Sequence, residues 1–207
     1  QLDRADEKRT RMDLWQNAPT LSLNQDPSVP MFATVTATGQ FDPQRHVLLD
    51  NQIRNNHPGV HVFTPFHVEG SDVVYMVNRG WLPWDRTTDR RGEFATEDTP
   101  VTITARLSDA PKVGLQLGEA SALEQDQWPN LMTYYDTELI RQALGPEVAS
   151  QVLLLDPQDP AHLTGDDWRP VNMGSERHVG YAFQWAAIGT AVLLIWLILT
   201  YRSFRKP

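Results

Sequence analysis

From Val179 to Tyr201 the chain reads VGYAFQWAAIGTAVLLIWLILTY and carries no formal charge. No other feature limits the fold as much. At ~1.5 Å rise per residue, one helix of this length crosses a hydrocarbon layer of roughly 30 Å. Lipid requires every backbone polar group to be satisfied within the segment, and a helix does this unaided. Arg202, Arg205 and Lys206 follow the run at once, and His178 stands immediately before it. The expectation is a transmembrane helix over residues 176–201 and a basic tail over 202–207. Cationic flanks stay on the cytoplasmic or matrix side, which puts the rest of the chain in the periplasm or the intermembrane space. Tyr181 and Trp185 near one end, and Tyr201 at the other, sit where amphipathic rings anchor at a lipid–water boundary.

Without that run about 175 residues remain, enough for one globular domain with its own core. Acidic residues outnumber basic ones, 26 to 18. This balance argues against a nucleic-acid partner, which calls for Lys and Arg to replace counterions on phosphates. Cysteine is absent, so disulfides, thiolate metal sites, Cys nucleophiles and iron–sulfur clusters are all excluded. Fifteen prolines disfavour a helical bundle and favour short strands and turns.

Residues Leu2 to Gln16 are charge-rich and predict a short surface helix. Pro19 to Pro30 reads as a loop. Alternation then predicts strands over Phe32–Phe41, Val47–Ile53 and Val60–Val68, with turns at Asp42-Pro43 and His57-Pro58-Gly59. Gly70-Ser71-Asp72 turns the chain into Val73–Asn78, a run too apolar for a half-exposed strand and therefore central. Val101, Ile103, Ala105 and Leu107 mark a fifth strand. Asp136 is placed to cap a helix over Thr137–Leu144 that stops at Gly145-Pro146, and Val152–Leu155 is a sixth strand. Asp156 to Gly174 reads as a loop returning toward the membrane. The class expected over residues 19–175 is mainly β with a few helices (α+β): a small antiparallel barrel-like domain outside the membrane.

Few residues carry obvious chemistry. His57, His61 and His67 invite copper or zinc. On one strand, however, His61 and His67 lie six residues apart, roughly 20 Å, so they read as solvent-facing unless the strand breaks at Pro65. The acid pairs Asp166-Asp167 and Glu97-Asp98 read as solvated loops. There is no G-x-S-x-G turn, H-E-x-x-H helix or glycine-rich phosphate loop, which leaves hydrolysis and nucleotide binding without support. Asn78-Arg79-Gly80-Trp81 is more distinctive. Gly80 fits a backbone angle barred to other residues or a close chain approach, and Arg79 suits a carboxylate of a neighbour or a ligand. Trp81 and Trp84 fit either packing on the sheet end or the membrane interface. The motif is readable as a strand terminus or as a binding site. On a helix, His178, Ala182, Trp185 and Gly189 share one face, and Tyr181 borders it. An imidazole with a small residue one turn below leaves room for a flat ring, as an axial haem ligand needs, and Arg177 is placed to meet a propionate. The alternative is an interfacial histidine that caps the helix or bonds a lipid head group.

The string H-x-x-Y-A-x-Q-W (His178, Tyr181, Ala182, Gln184, Trp185) resembles the surfeit locus protein 1 family of cytochrome c oxidase assembly factors. So do V-N-R-G-W (Val77 to Trp81) and the opening Q-L-D-R-A-D-E-K-R (Gln1 to Arg9). The order agrees as well: Leu48-Leu49-Asp50-Asn51, Gly59 to Pro65, N-R-G-W, then the helix from Asp136 to Gly145. The resemblance implies two spans flanking an outer domain, so residues 1–18 would be a juxtamembrane helix following a first span absent from this chain. It further implies a membrane-anchored, non-enzymatic assembly factor that binds or shields haem a during insertion into oxidase subunit I. The partners implied are subunit I, haem A synthase and the lipid bilayer, with no nucleic acid. His178 would be the axial ligand of the haem iron, and Arg177, Tyr181, Trp185, Arg79 and Trp81 would be cofactor-binding. Members often show Asn two residues before the histidine. This chain has Glu176, an acid that changes the hydrogen bonding orienting the imidazole. The expected location is a bacterial cytoplasmic membrane with the domain in the periplasm, or alternatively a mitochondrial inner membrane. The competing function is a cofactor-free scaffold that clasps subunit I through the small-residue row Ala182, Ala186 and Thr190. A haem-modifying enzyme would need a second redox or metal centre, for which no residues stand out.

Overall fold

The computed structural model describes residues 10, 12–25, 28–83, 96, 98–112 and 122–163, and a helix over 175–204 with side chains at 183–201. Two compact units result: Ala18–Trp168, and the two termini Gln1–Asn17 with Arg169–Pro207. The surface helix predicted near the start is described at residue 10 and over residues 12–17 (α1); the rest of it lies outside the described residues.

The first unit is built on five strands: β2 (Thr34–Phe41), β4 (Gly59–Val68), β5 (Val74–Pro83), β6 (Val101–Asp109) and β8 (Val148–Leu155). Three shorter strands extend the sheet: β1 (Thr20–Ser22), β3 (Val47–Leu49) and β7 (Asn130–Met132). The helix α2 (Thr137–Leu144) joins β7 to β8. Strands β2, β4 and β5 are successive antiparallel neighbours, and β6 returns beside β2, which is a Greek key. Strand β8 then closes the circle, antiparallel to β6 and parallel to β5. The outcome is the mainly β, barrel-like domain expected, with parallel pairing at β5–β8, β1–β2 and β3–β7 where only antiparallel pairing was foreseen. Closure of the five long strands leaves only the three-residue strands β1 and β7 at the sheet ends, and short edges are poor templates for aggregation.

Two residues make the closure possible. At Gly39, β2 pairs with Val101 of β6 on one side and Val68 of β4 on the other. A Cβ there would stand 2.1 Å from the His67 carbonyl oxygen, so only glycine fits. Strand β4 changes partner along its length, from β3 at His61–Phe63 to β2 at Phe66–Val68. Pro65 lies between the two sets. It has no N–H to leave unpaired at the switch, and its carbonyl accepts from Asp42 N at 2.8 Å.

The barrel interior is filled by Val35, Ala37 and Phe41 of β2, Phe66 of β4, Tyr75 and Val77 of β5, Ile103 and Ala105 of β6, and Leu153 and Leu155 of β8. Phe41 and Phe66 meet edge to face, with centroids 4.8 Å apart. A second cluster lies on the other face of β5 and β8, where Ile140 of α2 is fully buried against Val74, Met76, Val148 and Val152. Helix α2 begins where expected: the Asp136 carboxylate accepts from Glu138 N at 2.9 Å and Leu139 N at 3.1 Å. It ends at Gly145, with φ 122°.

The differences from the sequence expectation have local causes. The strand expected over Val47–Ile53 stops at Leu49, because Asn51 turns left-handed at φ 62°. Strand β5 runs on through the N-R-G-W motif to Pro83. Strand β8 starts four residues earlier than expected, at Val148, which is buried with Val152 in the cluster that holds Ile140 of α2. Strand β1 is a three-residue addition in the stretch read as a loop and β7 one in a stretch given no element, held by parallel pairing to β2 and β3 respectively.

The helix α3 (Ser175–Phe204) contains Phe183–Tyr201, a stretch long and apolar enough to cross a membrane and with none of it buried. Its large apolar side chains are open all round, from Phe183 at 77% exposed to Ile188 at 45%.

Candidate functional site

On α3 the helical backbone places His178, Ala182, Trp185 and Gly189 at one register. Trp185 is 66% exposed, and among the described residues nothing beyond the local helix backbone lies within 4 Å of where a Cβ on Gly189 would stand. The side chains of Arg177, His178, Tyr181 and Ala182 lie outside the described residues. Thr190 Oγ1 donates to the Ala186 carbonyl at 2.9 Å, so the polar group in the small-residue row is satisfied within its own helix.

The N-R-G-W motif belongs to the barrel unit and is a β-bulge. His61 pairs with Trp81 and Phe63 with Asn78, so Val62 alone faces both Arg79 and Gly80. Gly80 takes φ 120°, the angle expected of it, and its N–H donates to Asn78 Oδ1 at 3.2 Å. Arg79 continues the inward row of Tyr75 and Val77 and is buried. Its Nε donates to the Ala161 carbonyl at 3.0 Å, and its guanidinium lies 5.3 Å over the Phe41 ring. Burial pulls its pKa down to about 10, with Asp159 opposing, so Arg79 remains a cation at neutral pH. The Trp81 indole N–H donates to the Gln52 carbonyl at 2.7 Å. Its ring covers Gly59, where a Cβ would meet it at 2.3 Å, and carries the Arg54 guanidinium at 5.7 Å. Trp84 lies outside the described residues.

The three histidines of the β3–β4 region do not converge. Among the described residues no group of three His, Asp or Glu side chains is placed to hold a metal ion. His57 and His67 are exposed, as expected of strand and turn histidines. His61 is not: it is half-buried, and burial pulls its pKa down to about 4, helped by Arg54 and His162 and opposed by bonds from Asn78 and Gly80. Of the acid pairs, Asp98 is exposed and accepts from Gln40 Nε2, while Glu97, Asp166 and Asp167 lie outside the described residues.

Sequence reasoning passed over several buried polar groups. His46 is buried beside the inward face of β4, with Nδ1 3.0 Å from Thr64 Oγ1. Burial and the nearby Arg79 charge pull its pKa down to about 4. Asp159 and His162 sit in the stretch read as a plain loop. Tyr135 packs 4.9 Å from Phe63, and burial pushes its phenol well above the usual range. The one available signal was His46 itself, a polar residue next to the apolar run Val47-Leu48-Leu49.

These features define a class: a closed Greek-key barrel domain on a chain that carries, among the described residues, one helix of membrane-crossing length and composition. The chain belongs to the SURF1 family, whose family model matches residues 1–190. It is 23% identical over 179 residues to a SURF1-like protein of Caenorhabditis elegans, a match covering 83% of this chain and 51% of that one. A SURF1-like protein of Drosophila melanogaster is 24% identical over 154 residues, 74% of this chain and 47% of the other. The chain therefore spans about half the length of the curated relatives it matches. The family is the one that the motifs resemble.

Proposed function

We propose that this chain is a membrane-anchored assembly factor for a haem–copper cytochrome c oxidase, and not an enzyme. Its cargo is haem a, received or shielded on the way to oxidase subunit I, with haem A synthase as the source. The reading rests on one observation above others: family membership over residues 1–190 coincides with an apolar helix that carries His178 one residue before the uncharged run. Tight capture and ready release conflict, and a single axial histidine with an open opposite side reconciles them. His178 supplies the iron ligand, Arg177 meets a propionate at the water boundary, and Tyr181 and Trp185 flank the ring. The open surface at Gly189 supports this fit, because a flat macrocycle needs a face without bulk. The domain lies on the outer side of a bacterial cytoplasmic membrane, or of a mitochondrial inner membrane.

The full-length protein, made in cells that synthesise haem a, is expected to carry a Soret band that His178→Ala loses. Equal haem content in both proteins would remove His178 from the mechanism. A second reading is favoured by the Thr190–Ala186 bond, which leaves a smooth row for helix packing. If a cofactor-free scaffold is correct, Ala182→Leu breaks co-purification with subunit I while His178→Ala does not.

A further inference from the structure

After β8 the chain does not simply leave the barrel. Residues 156–163 turn back over the strand end and bind both of its neighbours. On the β6 side, Asp156 N donates to the Thr104 carbonyl at 2.8 Å, and Thr104 N donates to Asp159 Oδ2 at 2.9 Å. On the β5 side, Leu163 N donates to the Arg79 carbonyl at 2.7 Å, and Arg79 Nε donates to the Ala161 carbonyl at 3.0 Å. The strap also braces itself, since Asp159 Oδ1 accepts from Ala161 N at 2.9 Å. Ala161 packs on the barrel interior, and Leu163 packs on Leu48, Val60, Val62 and Leu82. Thus Arg79 is held by the strap through both backbone and side chain, and the strap carries the carboxylate, Asp159, that best offsets its buried charge.

We infer that residues 156–163 form an acid-sensitive latch, in which Arg79 and Asp159 lock the strap onto the barrel and His162 is the group through which protons release it. This goes beyond the proposed function and needs neither haem nor an oxidase. Arg79 is then a positioning residue: it fixes Leu163 against the barrel through its own carbonyl. The bulge explains why the motif is N-R-G-W. The extra residue turns the Arg79 carbonyl and side chain toward the same strap. His162 is fixed in the strap by its N–H, which donates to the Asp159 carbonyl at 2.9 Å, and the charged and titratable groups that act on its imidazole are Asp156 and Asp159 on the strap, Arg79 on β5, Arg54 on the β3–β4 loop and His61 on β4. Burial, with the two arginines, holds the imidazole below its ordinary pKa against the pull of the two carboxylates. Protonation is therefore easier in the open strap than in the closed one, and acid favours opening.

Hydrogen exchange on the full chain in lipid nanodiscs tests this, with protection of residues 156–163 compared with β6. Arg79→Met is expected to lower strap protection by about tenfold or more, as loss of a buried charge-assisted bond should. Protection at Ala105 and Leu107 is expected to hold. Should Arg79→Met not fold, Asp159→Asn is the substitute: it removes the facing charge and one acceptor, with the same expected signature. In the wild type, strap protection is expected to fall as pH drops below ~6.5, by at most about tenfold per unit. His162→Gln is expected to flatten that dependence. Unchanged strap protection in the variant that folds, or a pH profile identical in His162→Gln, would overturn the latch.

Discussion

At Gly39 a single hydrogen atom closes the barrel. The neighbouring His67 carbonyl leaves no room for a methyl group, and the glycine bridges β6 to β4. Gly39→Ala must displace backbone, so it is expected to destabilise the barrel by more than the ~1 kcal/mol usual for an ordinary Ala–Gly exchange in a strand. Urea denaturation of the full chain in detergent checks this, with Gly189→Ala as a control, because among the described residues no neighbour would meet the added methyl there. Gly80→Ala acts through backbone conformation instead. At φ 120° the cost is on the order of 1–3 kcal/mol, and the bulge that aims Arg79 at the strap is lost with it. In the sequence, Gly80 announced itself because it follows an arginine and ends an apolar run. Gly39 did not, since its constraint comes from a carbonyl on another strand.

Among the elements, α2 shows most simply how a short helix is fixed. Eight residues are marginal as an isolated helix, so its stability comes from the cap and the buried side. Asp136→Ala is expected to cost about 0.5–2 kcal/mol by leaving two N–H groups without their acceptor. Ile140→Ala is expected to cost about 2–5 kcal/mol, because the cavity it opens is walled by Val74, Met76, Val148 and Val152. Both are read from unfolding midpoints. This helix was legible residue for residue, because its cap and stop are local chemistry. So were the cores of β2, β4, β5 and β6, where alternation reports a buried face. Strands β1 and β7 were not legible, because three residues carry no period and their order comes from a partner strand. The parallel closure of β5 by β8 was hidden for the same reason. In the candidate site, the register of His178, Trp185 and Gly189 followed directly from helical spacing. The burial of Arg79 did not, because its partner Ala161 is 82 residues away.

In the barrel unit as a whole, three buried or half-buried imidazoles share one electrostatic sense. His46 and His61 are held at about 4 and His162 is held low. A base with a depressed folded pKa binds fewer protons than the unfolded chain, so stability is complete above ~6.5 and falls as pH drops toward 4. For His46, buried and held at about 4, the loss approaches roughly 3 kcal/mol at the low end of that window. The denaturation midpoint is expected to drop between pH 7.5 and 5, and His46→Gln is expected to reduce the slope. A midpoint that holds steady or rises over this range would show that these imidazoles do not titrate as their surroundings dictate.

The account depends most on the uncharged rod of α3 crossing a bilayer, with the barrel on one side and the basic tail on the other. The absence of native cysteine makes the direct measurement clean, because one introduced thiol is the only thiol. Ser150→Cys, at an exposed position within strand β8, and Ser203→Cys, beyond the rod, are each treated with a membrane-impermeant maleimide in intact spheroplasts. The account predicts that Ser150→Cys is labelled at once and Ser203→Cys only after the membrane is opened. Labelling of both thiols in intact spheroplasts, or of neither, would contradict it.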